Sequence, residues 1–187
     1  MVGTKRVAVC AFLLLLSAAL VIISCGPGPP APSPPPRPPK PPPAVEPTAL
    51  VYLMLPLAEA KLGEEFEVRV CVKLEGCGIS AGEILFTFDG GTMEVVSIEP
   101  GDLLGANPLV GLKEIDNQAG TIKYALARTG PTSVPTPPGV FAILKLKVLE
   151  SARTGTYELK LSKVGLADET FKDITGLEVQ GAKVKIG

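Results

Sequence analysis

Phe66-Glu67-Val68-Arg69-Val70-Cys71-Val72-Lys73-Leu74-Glu75 alternates large apolar residues with charged or small ones without a break. Successive side chains of a strand point to opposite faces, so a period of two describes a strand with one face buried and one in water. The pattern recurs in Ile84-Leu85-Phe86-Thr87-Phe88, Ile143-Leu144-Lys145-Leu146-Lys147-Val148 and Tyr157-Glu158-Leu159-Lys160-Leu161, and in a last run over residues 178–186. Residues 49–55 read as a first strand, closed by Pro56. Turn residues punctuate the runs, among them Gly76-Cys77-Gly78, Asp89-Gly90-Gly91, Pro100-Gly101-Asp102 and Thr154-Gly155. Short strands at roughly ten-residue spacing predict an all-β fold, a sandwich or jelly roll with one face of each strand packed on the other sheet. The best helical fragment is a single turn at Asp102-Leu103-Leu104.

Outward from this domain, residues 27–47 are mostly proline. Proline fixes φ near −65° and lacks an amide donor, so the segment joins neither helix nor sheet. It reads as a polyproline II stalk, about 3.1 Å per residue and on the order of 60 Å when extended. Before it, Lys5 and Arg6 head an uncharged run over residues 7–23 that ends in Ile22-Ile23-Ser24-Cys25. This is the pattern of a secretory signal. The tetrapeptide resembles a bacterial lipobox, which implies cleavage after residue 24 and a diacylated thiol on Cys25. Two acyl chains give lasting attachment where one gives marginal binding. The alternative is an uncleaved membrane anchor; on either reading residues 48–187 form one domain displayed outside the cytoplasm.

Composition excludes several functions. The chain has 18 basic and 19 acidic residues; without Lys5 and Arg6 the balance is 16 to 19, which offers nothing to nucleic acid. It has no histidine, the commonest general base and metal ligand, and no tryptophan for stacking sugars. No metal site and no cofactor are expected. Cys71 and Cys77, six positions apart across a turn, are candidates for a local disulfide worth about 2 kcal/mol at most. The alternative is two free thiols.

In order and spacing, several segments resemble a cohesin domain: Leu85-Phe86-Thr87-Phe88-Asp89, then Met93-Glu94-Val95-Val96-Ser97-Ile98-Glu99-Pro100-Gly101-Asp102-Leu103-Leu104, Gly120-Thr121-Ile122-Lys123-Tyr124-Ala125-Leu126-Ala127, Gly139-Val140-Phe141-Ala142-Ile143-Leu144, and Val164-Gly165-Leu166-Ala167-Asp168. The resemblance covers residues 49–187. It implies a jelly-roll sandwich of about nine strands, related to carbohydrate-binding modules, without a catalytic site. It also implies a dockerin partner held on a flat sheet face, with any calcium carried by the dockerin.

The likeness places Glu83 where a recognition acid or amide often stands. Arg128 and Thr129 stand at a contact region that is acidic in several cohesins, and this reversed charge disfavours a standard cellulosomal dockerin. Cohesins usually have proline where Gly90 stands, so the Asp89 turn is expected to be looser here. Phe141 is expected as a core anchor, and Gly101 as the hinge of a sharp reversal.

Three other functions compete. Carbohydrate binding needs a coplanar aromatic strip, for which the chain offers Tyr52, Tyr124, Tyr157 and six phenylalanines. Catalysis would have to use acidic groups such as Glu64-Glu65 or Asp168, Glu169 and Asp173, which lie in polar loops beside lysines and read as solvated surface. The loop over residues 166–175 has three potential calcium ligands but lacks EF-hand spacing. An envelope lipoprotein that uses the same fold for another protein contact is the third. The favoured expectation is a cell-surface adhesive module that anchors a secreted, polysaccharide-degrading partner.

Overall fold

The computed structural model describes residues 49–130 and 138–187, so the signal, Cys25 and the proline-rich linker lie outside the described residues, as does most of the proline loop after Gly130. Eleven strands and no helix are present among the described residues: β1 (Ala49–Met54), β2 (Glu59–Ala60), β3 (Glu65–Leu74), β4 (Ile79–Thr87), β5 (Met93–Pro100), β6 (Leu109–Asp116), β7 (Thr121–Ala127), β8 (Gly139–Val148), β9 (Gly155–Asp168), β10 (Glu178–Gln180) and β11 (Ala182–Ile186). They form a five-stranded sheet, β10-β1-β3-β8-β5, and a six-stranded sheet, β2-β11-β9-β4-β7-β6. The all-β sandwich follows the alternation. The count exceeds nine because β2 is a two-residue edge and the run over residues 178–186 divides into β10 and β11, which belong to different sheets.

The inward positions of each strand meet in one core. Phe66, Val68, Val70 and Val72 of β3 and Leu144 and Leu146 of β8 belong to the same buried cluster as Ile84 and Phe86 of β4 and Ile122 and Tyr124 of β7. Burying a side chain of this size contributes about 1.5–3 kcal/mol. Phe141 is 1% exposed and meets Tyr124 edge-on, with ring centroids 6.5 Å apart, as expected of a core anchor.

Asp102-Leu103-Leu104 forms the expected single turn, closed by Gly105 N donating to Asp102 O at 3.1 Å, and both leucines are buried. Three bonds hold it to β8: Gly101 N to Phe141 O at 3.0 Å, Leu103 N to Val140 O at 2.9 Å, and Val140 N to Asp102 Oδ1 at 2.7 Å. Glycine is required at 101 by this closeness and not by a reversal: its φ is not positive, and a Cβ there would stand 2.1 Å from Val140 O. The Asp89 turn also makes a close backbone approach. Asp89 Oδ1 accepts from Gly91 N and Asp89 O accepts from Thr92 N and Met93 N, while a Cβ on Gly90 would lie 2.3 Å from Asn117 O.

Side chains close the gap between the edge strands of the two sheets. The Asn117 amide accepts from Val95 N at 2.8 Å and donates to Val95 O at 3.2 Å. Lys113 Nζ donates to Ile98 O at 2.9 Å. These contacts satisfy backbone groups of β5, an edge strand that would otherwise invite pairing.

The expected Cys71–Cys77 disulfide is not formed; both thiols are free. Parity in β3 explains this. Val70 and Val72 point into the core, so Cys71 points out, opposite Tyr52 of β1 and hydrogen-bonded to it. Cys71 is nevertheless 6% exposed, and burial pushes its thiol pKa up against the pull of the Tyr52 bond. Cys77 packs against the core cluster near Glu169 and Asp168, and burial raises its thiol as well.

Candidate partner-binding face

Strand β4 occupies the middle of the six-stranded sheet, and its outward residues are Ala81, Glu83, Leu85 and Thr87. Its register fixes what lies beside each. Ala81 stands between Ala127 of β7 and Ala167 of β9, and Glu83 between Ala125 and Gly165. Leu85 stands between Lys123 and Lys163, where the face turns polar. On β6, Leu109 lies opposite Ala127 and Leu112 opposite Ala125. Half of the face is therefore short side chains flanked by exposed leucines, and the other half carries charge.

The short side chains leave a shallow depression of 330 Å³, lined by Ala81, Glu83, Ala125, Ala127, Gly165 and Asp173 among others. Glu83 lies across Gly165: a Cβ on that glycine would meet Glu83 Cγ at 3.0 Å. From there its carboxylate reaches Lys163 Nζ at 2.6 Å, and this bond holds the Lys163 ammonium above its ordinary pKa. Both groups are more than half exposed, so water screens the pair and a partner's cation can replace Lys163 at little cost.

The structure separates the three candidate contact residues. Glu83 sits in the face itself, whereas β7 ends at Ala127 and leaves Arg128 and Thr129 at its rim. Arg128 N donates to Ser80 O at 2.7 Å. The Thr129 hydroxyl donates to Asn107 O at 2.7 Å, which commits it to holding the start of β6.

Glu64, Asp168 and Glu169, considered for catalysis or calcium, have structural partners. Glu64 Oε2 accepts from Lys61 N, and Glu169 Oε2 accepts from Gly78 N at 2.9 Å. Asp168 Oδ1 accepts from Thr170 Oγ1, Thr170 N and Lys172 N, and these bonds, the hydroxyl first, hold its carboxyl below the ordinary pKa. The tyrosines form no strip. Tyr124 is in the core, Tyr52 faces Cys71 on the other sheet, and the Tyr157 hydroxyl donates to Arg153 O.

One residue of the region escaped the sequence reading. Phe171, in the turn after β9, is 64% exposed and has φ of 60°. It is the sole non-glycine residue with positive φ among the described residues. That conformation costs roughly 1–2 kcal/mol for a residue with a Cβ. Nothing in Asp168-Glu169-Thr170-Phe171-Lys172-Asp173 signals it, because phenylalanine is not a residue that turns usually place there.

The two-sheet sandwich commits Glu64, Asp168 and Glu169 to turns and leaves one face open and nearly flat, the architecture of a binding module. Residues 51–184 match the cohesin domain model, and the chain belongs to the cohesin family. It is 30% identical over 139 residues to cellulose-binding protein A of Clostridium cellulovorans, covering 73% of this chain. It is 31% identical over 144 residues to cellulosomal-scaffolding protein A of Acetivibrio thermocellus, covering 71% of this chain. The match spans 7% of the length of each of these relatives. Among solved structures, the fold superposes with a TM-score of 0.60 on the sixth cohesin of Acetivibrio cellulolyticus scaffoldin B, determined in complex with a mutant Cel5 dockerin. Identity there is 22%, over 74% of this chain and 99% of that one.

Proposed function

We propose that this chain is a non-catalytic adhesive module that holds a dockerin-bearing secreted protein at the cell surface. The observation that carries the reading is the family match over residues 51–184 joined to a shallow depression of short side chains, bordered by Glu83 and Asp173, on an exposed sheet. A specific interface buries roughly 800 Å² on each partner, and the four strands β9, β4, β7 and β6 present a continuous surface for it. The names of the two relatives, and the dockerin complex of the structural neighbour, support a partner of the same kind. Calcium, where it is needed, belongs to the dockerin.

The sequence before the domain supports a surface location. Cys25 accepts the lipid, and the proline-rich residues 27–47 hold the domain away from the membrane. The cargo is a polysaccharide-degrading protein, in keeping with the cellulose and cellulosome of the relatives' names.

Two experiments test these parts separately. Calorimetry of the protein against every dockerin encoded in its genome, with calcium and with chelator, gives saturable binding to at least one; binding to none sinks the adhesive reading. Growth on labelled palmitate marks the native chain and leaves C25S unmarked; equal labelling would remove the lipid anchor from the account.

A further inference from the structure

Phe171 breaks a local rule. Every other phenylalanine among the described residues is buried, and Ile174, three positions on, is buried too. The turn thus inserts one apolar side chain into the core while holding its largest in water, at a backbone conformation that a Cβ disfavours. Glycine or asparagine closes such a turn at lower cost. An observed outlier of this kind is the starting point for a functional reading.

The turn is built to be stiff. Phe171 N donates to Asp168 O at 3.0 Å, Asp168 N donates to Lys172 O at 2.9 Å, and Ile174 N donates to Leu166 O at 2.8 Å. One carboxylate oxygen of Asp168 takes three further donors, at 2.7, 2.8 and 3.0 Å. From outside the turn, Glu169 Oε2 accepts from Gly78 N, so it is also braced against the segment before β4. The position matters as much as the stiffness. Asp173 pairs with Ala167 and lines the depression, so the turn rises at the β9 side of the alanine floor.

We infer that Phe171 is an aromatic anchor of the docking face, inserting into a cluster of aliphatic side chains on the surface of the partner, with Asp168 as its positioning residue. The inference rests on the proposed dockerin-binding function and deepens it by naming a contact. An aromatic ring has two side-chain torsions and loses little freedom on binding, and here the backbone beneath it is fixed beforehand. Aromatic residues are enriched in interface cores. The strain stored at Phe171 is what a contact made only in the complex would explain.

Affinity and stability separate the anchor from a structural role. Asparagine tolerates a left-handed conformation, so F171N is expected to melt at the native temperature or above it, and to bind the cognate dockerin at least tenfold more weakly by calorimetry. F171Y is expected within threefold of native. A loss below tenfold for F171N overturns the inference, and so does a fall in melting temperature alongside affinity, the signature of a ring that supports the fold. D168A is expected to weaken binding in the native background and to add nothing in the F171N background. Equal weakening in both removes Asp168 from the positioning role. If the native protein binds no dockerin, the proposed function falls and this inference with it; native binding with F171N unimpaired removes this inference alone.

Discussion

Outward positions of the five-stranded sheet carry Glu65, Glu67, Arg69 and Lys145, whereas central positions of the six-stranded sheet carry Ala81, Ala125, Ala127 and Gly165. Both sheets arise from the same alternation and share one core, so folding does not require the difference. On the first sheet Arg69 pairs with Glu67, and Lys145 with Glu65 at 3.1 Å. These charges satisfy one another and keep the surface wet. On the second sheet the short side chains expose little to water and offer space, with exposed Leu109 and Leu112 at the edge. One face is finished by solvent, and the other, on the proposed function, is finished by a partner.

The largest expected effect comes from what the faces share. F141A empties the space beside Tyr124 and should destabilise the domain by about 3–5 kcal/mol in urea unfolding, removing both faces together. Next is A125Y, which fills the middle of the depression with a residue that strands favour. Affinity for the dockerin should fall at least thirtyfold, about 2 kcal/mol at 1.4 kcal/mol per tenfold, with the melting temperature unchanged. Unchanged affinity would erase the distinction between the two faces.

Acid should act on the Asp168 turn in one direction. The folded pKa of Asp168 lies below the unfolded value of about 3.9. Its contribution is therefore complete above that value and is lost as pH falls through the lower folded pKa. Carboxyl resonances followed by nuclear magnetic resonance should show Asp168 titrating below the ordinary carboxylate range and the turn unchanged between pH 7 and 5. The smallest effect belongs to the charged face. K145A should alter stability by less than about 0.5 kcal/mol and leave dockerin affinity untouched.

The alternation made the strands of the core legible, because burial on one side imposes a pattern that a reader can see. It left β6 hidden. Leu109-Val110-Gly111-Leu112-Lys113-Glu114-Ile115-Asp116 is an edge strand in which Ile115 alone packs against the core, so little constrains its sequence to alternate. The disulfide reading failed for a related reason: spacing along the chain does not reveal that Cys71 leaves the core side of β3 while Cys77 joins the core. The resemblance singled out Glu83, and the register places that residue between Ala125 and Gly165. The alanine floor was not legible, since Ala81, Ala125, Ala127 and Ala167 come from three strands and meet only through pairing. Phe171 was hidden inside a polar stretch, because a backbone conformation at odds with its residue type has no signature in that residue.

The two sheets differ most in which of them a dockerin would cover. The most direct measurement is the map of amide shifts that a cognate dockerin causes in the labelled protein. Shifts should concentrate on Ala81, Glu83, Ala125, Ala127 and Gly165 and extend to Phe171, leaving Glu67, Arg69 and Lys145 where they were. A map centred on β3 and β8 would contradict the account outright.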